Sequence, residues 1–279
     1  MQTLHAVSEV RAAVREWRFG GKRIAFVPTM GNLHPGHLRL VAEAKKIADR
    51  VVVSIFVNPT QFGPGEDYES YPRTEDEDRN KLNEAEADLL FLPPAAEIYA
   101  PDAKTRVTVA GLSQRYCGAF RPGHFDGVAT VVCKLFNIVQ PDCAFFGQKD
   151  FQQLTLIRTM VRDLNIPVDI VPVETVREAD GLAMSSRNGY LNHEERHIAP
   201  RLYRALCDAK DAVLAGRDYA EIERQAQAFL RESGFDTDYF AICRRSDLEK
   251  AGKDDLELVL LAAARLGKTR LIDNVRFDR

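Results

Sequence analysis

At 279 residues, with 45% hydrophobic and 28% charged residues, the chain holds enough apolar material for one large domain and a smaller one. Its formal net charge of -3 gives no electrostatic reason to expect nucleic acid or an anionic membrane as partner. No apolar run reaches transmembrane length, and Met1 to Arg11 lacks the apolar block of a signal peptide. The five cysteines are odd in number and form no Cys-x-x-Cys pair, so they read as free thiols in a cytoplasmic protein.

In chain order, Arg23 to Val27 reads as a strand, His37 to Ala48 as a helix, and Val51 to Val57 as an apolar, β-branched run suited to a parallel strand buried on both faces. This is a βαβ unit. A loop rich in Gly and Pro follows, from Asn58 to Pro72. Thr74-Glu75-Asp76-Glu77 has the form of a capping box, opening a helix toward Ala87 whose acidic first turn is read as solvated. Asp88 to Leu92 is strand-like and stops at Pro93-Pro94. Asp126 to Val139 is helical, Cys143 to Phe146 a strand, Phe151 to Asp163 a helix and Val168 to Val173 a strand.

Strict alternation predicts an α/β fold, a Rossmann-like doubly wound parallel sheet. After Asn188 the pattern changes. Asn192 caps helical stretches to about Leu214 and from Tyr219 to Glu232, and two strands follow, Leu256 to Ala263 and Thr269 to Val275. The division is placed after residue 183, with 1–183 as the Rossmann-like domain and 184–279 as a smaller α+β domain.

The most telling segment is Val27-Pro28-Thr29-Met30-Gly31-Asn32-Leu33-His34-Pro35-Gly36-His37. A strand runs through a glycine-containing loop into a helix N-terminus, where unpaired amides and the helix dipole favour a phosphate. Two imidazoles three residues apart add donors for a crowded phosphate chain. Gly31 and Gly36 have the spacing of a P-loop, but His37 and Leu38 stand where Lys and Ser/Thr belong. Gly267-Lys268-Thr269 has the P-loop ending with Ala262 in place of the first glycine, and no Gly-x-Gly-x-x-Gly follows a strand. The i, i+3 spacing, the intervening proline and the missing Glu speak against a zinc-protease helix, although a metal pair or a purely structural pair stays open.

The His-x-Gly-His element after a first strand resembles the signature of the nucleotidylyltransferase and class I aminoacyl-tRNA synthetase superfamily. Met184-Ser185-Ser186-Arg187 sits where that superfamily carries its second, basic phosphate-holding element, although alone it could be a helix cap with a surface arginine. Further runs occur in order: Pro28-Thr29-Met30-Gly31, Phe56-Val57-Asn58-Pro59-Thr60-Gln61-Phe62, Tyr71-Pro72-Arg73, Arg121-Pro122-Gly123-His124-Phe125-Asp126-Gly127-Val128, Phe146-Gly147-Gln148-Lys149-Asp150-Phe151-Gln152-Gln153 and Arg177 to Asn188. Over about residues 20–190 these resemble the pantothenate synthetase family, ATP-dependent ligases of pantoate and β-alanine, with looser likeness beyond. Pro35 and Gln148 stand where many members carry an acidic residue.

The resemblance implies two steps, formation of pantoyl adenylate with release of pyrophosphate, then attack by the β-alanine amine with release of AMP. It implies that His37, His34 and Lys149 stabilise the reacting phosphates. ATP would also be bound by Met30, Gly31, Gly147, Gln148, Asp150, Val176, Met184, Ser185, Ser186 and Arg187, with Asp150 on the ribose. Gln61, Gln153 and Asn58 would bind pantoate and β-alanine. It further implies Mg2+ accompanying ATP, with a ligand among Asp76, Glu77 and Asp78 left unassigned, a homodimer, and a C-terminal domain acting as a lid. His124 is open between a structural and a substrate role. The rival readings are a nucleotidylyltransferase passing AMP to a phosphorylated acceptor, a non-catalytic nucleotide sensor and a nicotinamide-dependent dehydrogenase.

Overall fold

A computed structural model describes residues 1–279. Contacts group the chain into two units, one of residues 1–148 and 156–174, the other of 149–155 and 175–279.

The first unit is built on β1 (Gln2–Leu4), α1 (Val7–Phe19), β2 (Ile24–Thr29), α2 (Pro35–Lys45), β3 (Arg50–Ile55), α3 (Glu75–Glu84) and β4 (Leu89–Phe91). Two short helices follow, α4 (Ala95–Ile98) and α5 (Cys117–Phe120), then α6 (His124–Val139), β5 (Cys143–Gly147), α7 (Phe151–Asp163) and β6 (Asp169–Val173). The first turn of α7 groups with the other unit. The six strands form one sheet in the order β1-β4-β3-β2-β5-β6, and every pairing is parallel.

The unbroken apolar runs of β2 and β3 have a direct cause, since both faces of the sheet are covered. Ala25 and Val27 of β2 join Leu40, Val41 and Ala44 of α2 in one core cluster. Phe26, on the opposite face, meets Phe136 of α6 edge-on at 6.4 Å, and Phe136 in turn meets Phe146 of β5 at 6.3 Å. The chain enters the sheet's centre at β2, passes outward through β3 and β4, and returns to β5 on the other side of β2. The carboxyl ends of β2 and β5 therefore flank the switch point where doubly wound sheets bind ligands.

The second unit carries α8 (His193–Ile198), α9 (Arg201–Leu214), α10 (Tyr219–Glu232) and the antiparallel sheet β7 (Asp236–Arg244), β8 (Glu257–Leu266) and β9 (Thr269–Asp278). Leu202, Leu206 and Val213 of α9 and Ile222 and Leu230 of α10 share a core with Phe240, Ile242, Leu258 and Leu260.

Two local expectations are corrected. Thr74 does precede α3, but its hydroxyl makes no capping bond and lies buried without a partner. Its backbone, at φ -121° and ψ 50°, departs from the extended N-cap conformation that aims a hydroxyl at the third amide. The acidic turn is also not wholly solvated, because Asp78 is 1% exposed.

Candidate active site

The loop after β2 is shaped by backbone constraint. Thr29 Oγ1 donates to Ser54 O at 2.8 Å and accepts from Gly31 N at 3.2 Å. Gly31 (φ +82°) and Asn32 (φ +50°) then occupy the left-handed region in succession. A β-carbon on Gly31 would stand 3.0 Å from the Ile55 side chain and 3.1 Å from Asp78 Oδ2.

Asp78 holds this turn from α3. Its Oδ2 accepts from Asn32 N and its Oδ1 from Leu33 N, both at 2.7 Å. One turn along, Lys81 Nζ donates to Leu33 O at 2.9 Å. The carboxylate thus accepts from two successive loop amides, one on each oxygen.

The loop delivers His34 to the N-cap of α2 and Pro35 to its first position, where proline's fixed φ suits the helix and its missing N–H costs nothing. His34 Nδ1 accepts from Gly36 N at 3.1 Å, and His37 Nδ1 accepts from His34 N at 3.3 Å. The rings lie 4.0 Å apart, tilted by 36°. This reciprocal capping fixes chemistry as well as position. With Nδ1 of each ring accepting a backbone N–H, Nε2 is the protonated nitrogen, so both imidazoles are set as Nε2–H donors at the positive end of a helix dipole. The expected anion donors were the loop's unpaired amides together with the two imidazoles; the rings here cap the Gly36 and His34 amides, which leaves the imidazole Nε2–H groups as the donors of that pair.

Gln61, in the turn Pro59–Gln61 after β3, is 8% exposed. Its Nε2 donates to Met30 Sδ at 2.8 Å and its Oε1 accepts from Asn58 Nδ2 at 3.1 Å. Asn58 is 1% exposed and its amide is engaged on every side. Its Nδ2 also donates to Gly127 O at 3.2 Å, while its Oδ1 accepts from Thr60 N, Thr60 Oγ1 and the Tyr99 hydroxyl. Burial pushes the Tyr99 hydroxyl's pKa up, so it remains a donor. Asn58 acts on the site by fixing which way the Gln61 amide faces.

Gly147 ends β5, and Gln148–Asp150 form a tight turn leading into α7. Lys149, Asp150 and Gln153 are partly exposed at the start of that helix, and Asn274 Nδ2 of β9 donates to Lys149 O at 2.9 Å. Within the second unit the expected elements 176 and 184–187 do meet. Met184 N donates to Val176 O at 3.0 Å, and Ser185 Oγ accepts from Arg187 N at 3.3 Å as cap of the turn Ser186–Tyr190. Two arginines hold the segment: Arg177, part of the quoted run but given no role from sequence, and Arg196, which the sequence did not single out. Arg177 bonds Asp273 at 2.6 and 2.9 Å and stacks 3.6 Å above the Tyr203 ring. Arg196 bridges Glu178 at 2.6 Å and Asp180 at 2.5 Å.

The acidic run fits no protein cage for a divalent cation. Both Asp78 oxygens face loop amides, Glu77 pairs with Lys81 at 3.8 Å, and no group of three or more His, Cys, Asp or Glu side chains is arranged around a metal position. No helix is long and apolar enough to cross a membrane.

Comparison with known proteins gives the family. The model of the pantoate-beta-alanine ligase family matches residues 2–276. A pantothenate synthetase of Methylococcus capsulatus is 58% identical over 99% of this chain and 97% of its own length. One from Azotobacter vinelandii is 56% identical over 100% and 99%. Among solved structures, pantothenate synthetase from Thermus thermophilus superposes with a TM-score of 0.93 at 49% identity, covering 99% of both chains. Pantoate-beta-alanine ligase from Francisella tularensis, complexed with beta-gamma ATP and beta-alanine, gives 0.81 at 32% identity over 99% of this chain and 97% of its own. The chain belongs to the pantoate-beta-alanine ligase family.

Proposed function

We propose that this chain is an ATP-dependent ligase joining pantoate to β-alanine through a pantoyl adenylate, with release of pyrophosphate and then AMP. The observation that carries the reading is the match over the whole chain to the pantoate-beta-alanine ligase family. The imidazole-capped helix at the sheet's switch point supports it chemically.

In the first step the pantoate carboxylate attacks the α-phosphorus and pyrophosphate departs. No protein nucleophile is needed, because the substrate brings its own. What the protein must supply is charge stabilisation at phosphorus and protection of a water-labile anhydride. His37 and His34, set as Nε2–H donors, serve the developing charge, with Lys149 adding a full positive charge. Ser185, Ser186 and Arg187 take the β- and γ-phosphates, Met184 beside them. Met30, Gly31, Gly147, Gln148 and Val176 contact ATP, with Asp150 on the ribose hydroxyls. Gln61 and Gln153 read the hydroxyls and carboxylate of pantoate, and Asn58 fixes the Gln61 amide. In the second step the β-alanine amine attacks the acyl carbon and AMP leaves.

Magnesium, held by the triphosphate rather than by a protein cage, would supply charge neutralisation for the pyrophosphate. The protein acts as a homodimer in the cytoplasm. The test is release of AMP and pyrophosphate from ATP and magnesium with pantoate, with and without β-alanine. Sustained AMP release only when both acids are present is expected; sustained pyrophosphate release without AMP would replace the ligase with a transferase.

A further inference from the structure

The Gln61 side chain is steered by Asn58, but the backbone that carries it needs its own anchor. It lies at the start of a long irregular stretch between Pro59 and α3 that no sheet pairing holds. That stretch packs partly on itself. Phe62 meets Tyr68 and Tyr71 edge-on at 5.3 and 5.8 Å, and the Arg73 guanidinium, 5.5 Å from the Tyr68 ring, donates to the carbonyls of Tyr68, Glu69 and Tyr71.

Its attachment to the rest of the first unit is more specific. Arg121, in the turn before α6, donates from Nε and Nη2 to the two carboxylate oxygens of Glu66, each at 2.6 Å. The same guanidinium reaches Gln61 O at 3.4 Å through Nη2 and His124 Nε2 at 3.1 Å through Nη1. His124 Nδ1 lies 2.7 Å from Gln61 O. A carbonyl can only accept and a guanidinium can only donate, so the tautomer is settled: His124 donates from Nδ1 and accepts at Nε2. Both ring nitrogens are thereby committed to the clasp.

We propose that Glu66, Arg121 and His124 are positioning residues for pantoate, acting through the backbone carbonyl of Gln61. Arg121 is the hub, because only a planar fork can hold a carboxylate with two bonds while bonding an imidazole. Glu66 orients the hub, and His124 passes that orientation to the carbonyl. None of the three needs to touch a substrate. This inference rests on the reading that Gln61 contacts pantoate.

The test is steady-state kinetics on Gln61→Ala, Arg121→Lys, Glu66→Gln, His124→Ala and His124→Asn, with thermal melts to establish folding. Gln61→Ala should raise KM for pantoate and leave KM for ATP. Arg121→Lys, Glu66→Gln and His124→Ala should each raise KM for pantoate by roughly tenfold, again with KM for ATP unchanged. His124→Asn should recover most of the loss, since its amide N–H falls where Nδ1–H does. If Gln61→Ala shifts pantoate but folded clasp variants lower only the melting temperature, or raise both KM values alike, the clasp is overturned. If Gln61→Ala itself leaves KM for pantoate unchanged, the site reading fails and the clasp falls with it.

Discussion

Gly127 offers the sharpest test of how the Gln61 turn is placed. It lies in the first turns of α6, where the turn Pro59–Gln61 is laid directly against the helix. A β-carbon there would stand 2.5 Å from Thr60 C and 2.7 Å from Gln61 N, with the Thr60 carbonyl oxygen closer still. Comfortable separation begins at about 3.5 Å, so Gly127→Ala must push the turn outward by about 1 Å. The same movement stretches the 3.2 Å bond from Asn58 Nδ2 to Gly127 O. Displacement of about 1 Å in a positioning element can cost about 100-fold in rate. Overpacking costs about 1–3 kcal/mol and is partly offset by alanine's better helix propensity, about 1 kcal/mol, so the variant should fold. The expected outcome is a fall of about 100-fold in kcat/KM for pantoate with KM for ATP little changed, read by AMP release. Gly118→Ala is the control: its β-carbon would crowd Ser113 C at 2.7 Å and the Phe125 ring at 3.3 Å, and none of its three nearest atoms belongs to the Gln61 turn. It should lower the melting temperature without shifting KM for pantoate. A folded Gly127→Ala enzyme with wild-type pantoate kinetics would refute the reasoning.

Other outcomes follow from single contacts. His37→Ala removes one donor proposed to face the phosphates and should lower kcat by about 100-fold or more, with stability changed by no more than about 1–2 kcal/mol for the lost cap; circular dichroism and turnover together check it. Asp78→Asn leaves one loop amide without its acceptor, predicting a loss of about 1–3 kcal/mol by denaturant titration and a fall of about tenfold in kcat. Half-saturating magnesium should stay put, whereas a metal ligand would shift it upward. Burial pushes the Glu66 carboxyl up, but hydrogen bonds and charge from Arg121 prevail and hold its pKa at about 2, against 4.5 ordinarily. The folded pKa is the lower one, so this stability is complete above about pH 4.5 and drains away as pH falls toward 2; it amounts to at most about 3 kcal/mol, and Glu66→Gln should flatten that part of the acid-unfolding curve. Asp273→Asn removes the charge partner of Arg177, which keeps the Gly181 and Asn274 carbonyls, and should cost about 1–3 kcal/mol, measured by chemical denaturation.

The parallel sheet was legible because burial on both faces writes itself as uninterrupted β-branched sequence, as in Val51-Val52-Val53. Helices with one strong apolar face, such as α6, were equally plain. Several features escaped, among them β1 with α1, β7 and the true state of the Thr74 cap. β1 has three residues, too few for a period to register, and without it α1 has no strand to connect. β7 begins Asp236-Thr237-Asp238 and carries a register shift between Thr237 and Tyr239, so polar residues and a bulge hide its alternation. The missing capping bond at Thr74 is a backbone matter: the residue types fit the pattern and the dihedral angles do not.

The site divides along a different line. Groups proposed to face the phosphates sit in short runs whose spacing is set by one loop, so His34 and His37 could be found together from the chain alone. The residues that hold those groups arrive from elsewhere: Asp78 reaches back to Asn32 and Leu33, Arg121 to Glu66, and Asp273 to Arg177. Each sits in a stretch with an adequate local explanation. Asp78 lies in an acidic first turn that the dipole already favours, and nothing nearby marks it as the acid whose two oxygens face inward. Its one local hint, Lys81 a turn later, reads as an ordinary helix pair until the loop carbonyl it bonds is seen. A ligand's chemistry constrains residue type within a motif, whereas positioning requires only that some donor or acceptor arrive at a point in space. Many sequences meet that second requirement, which is why it leaves so little trace in any one of them.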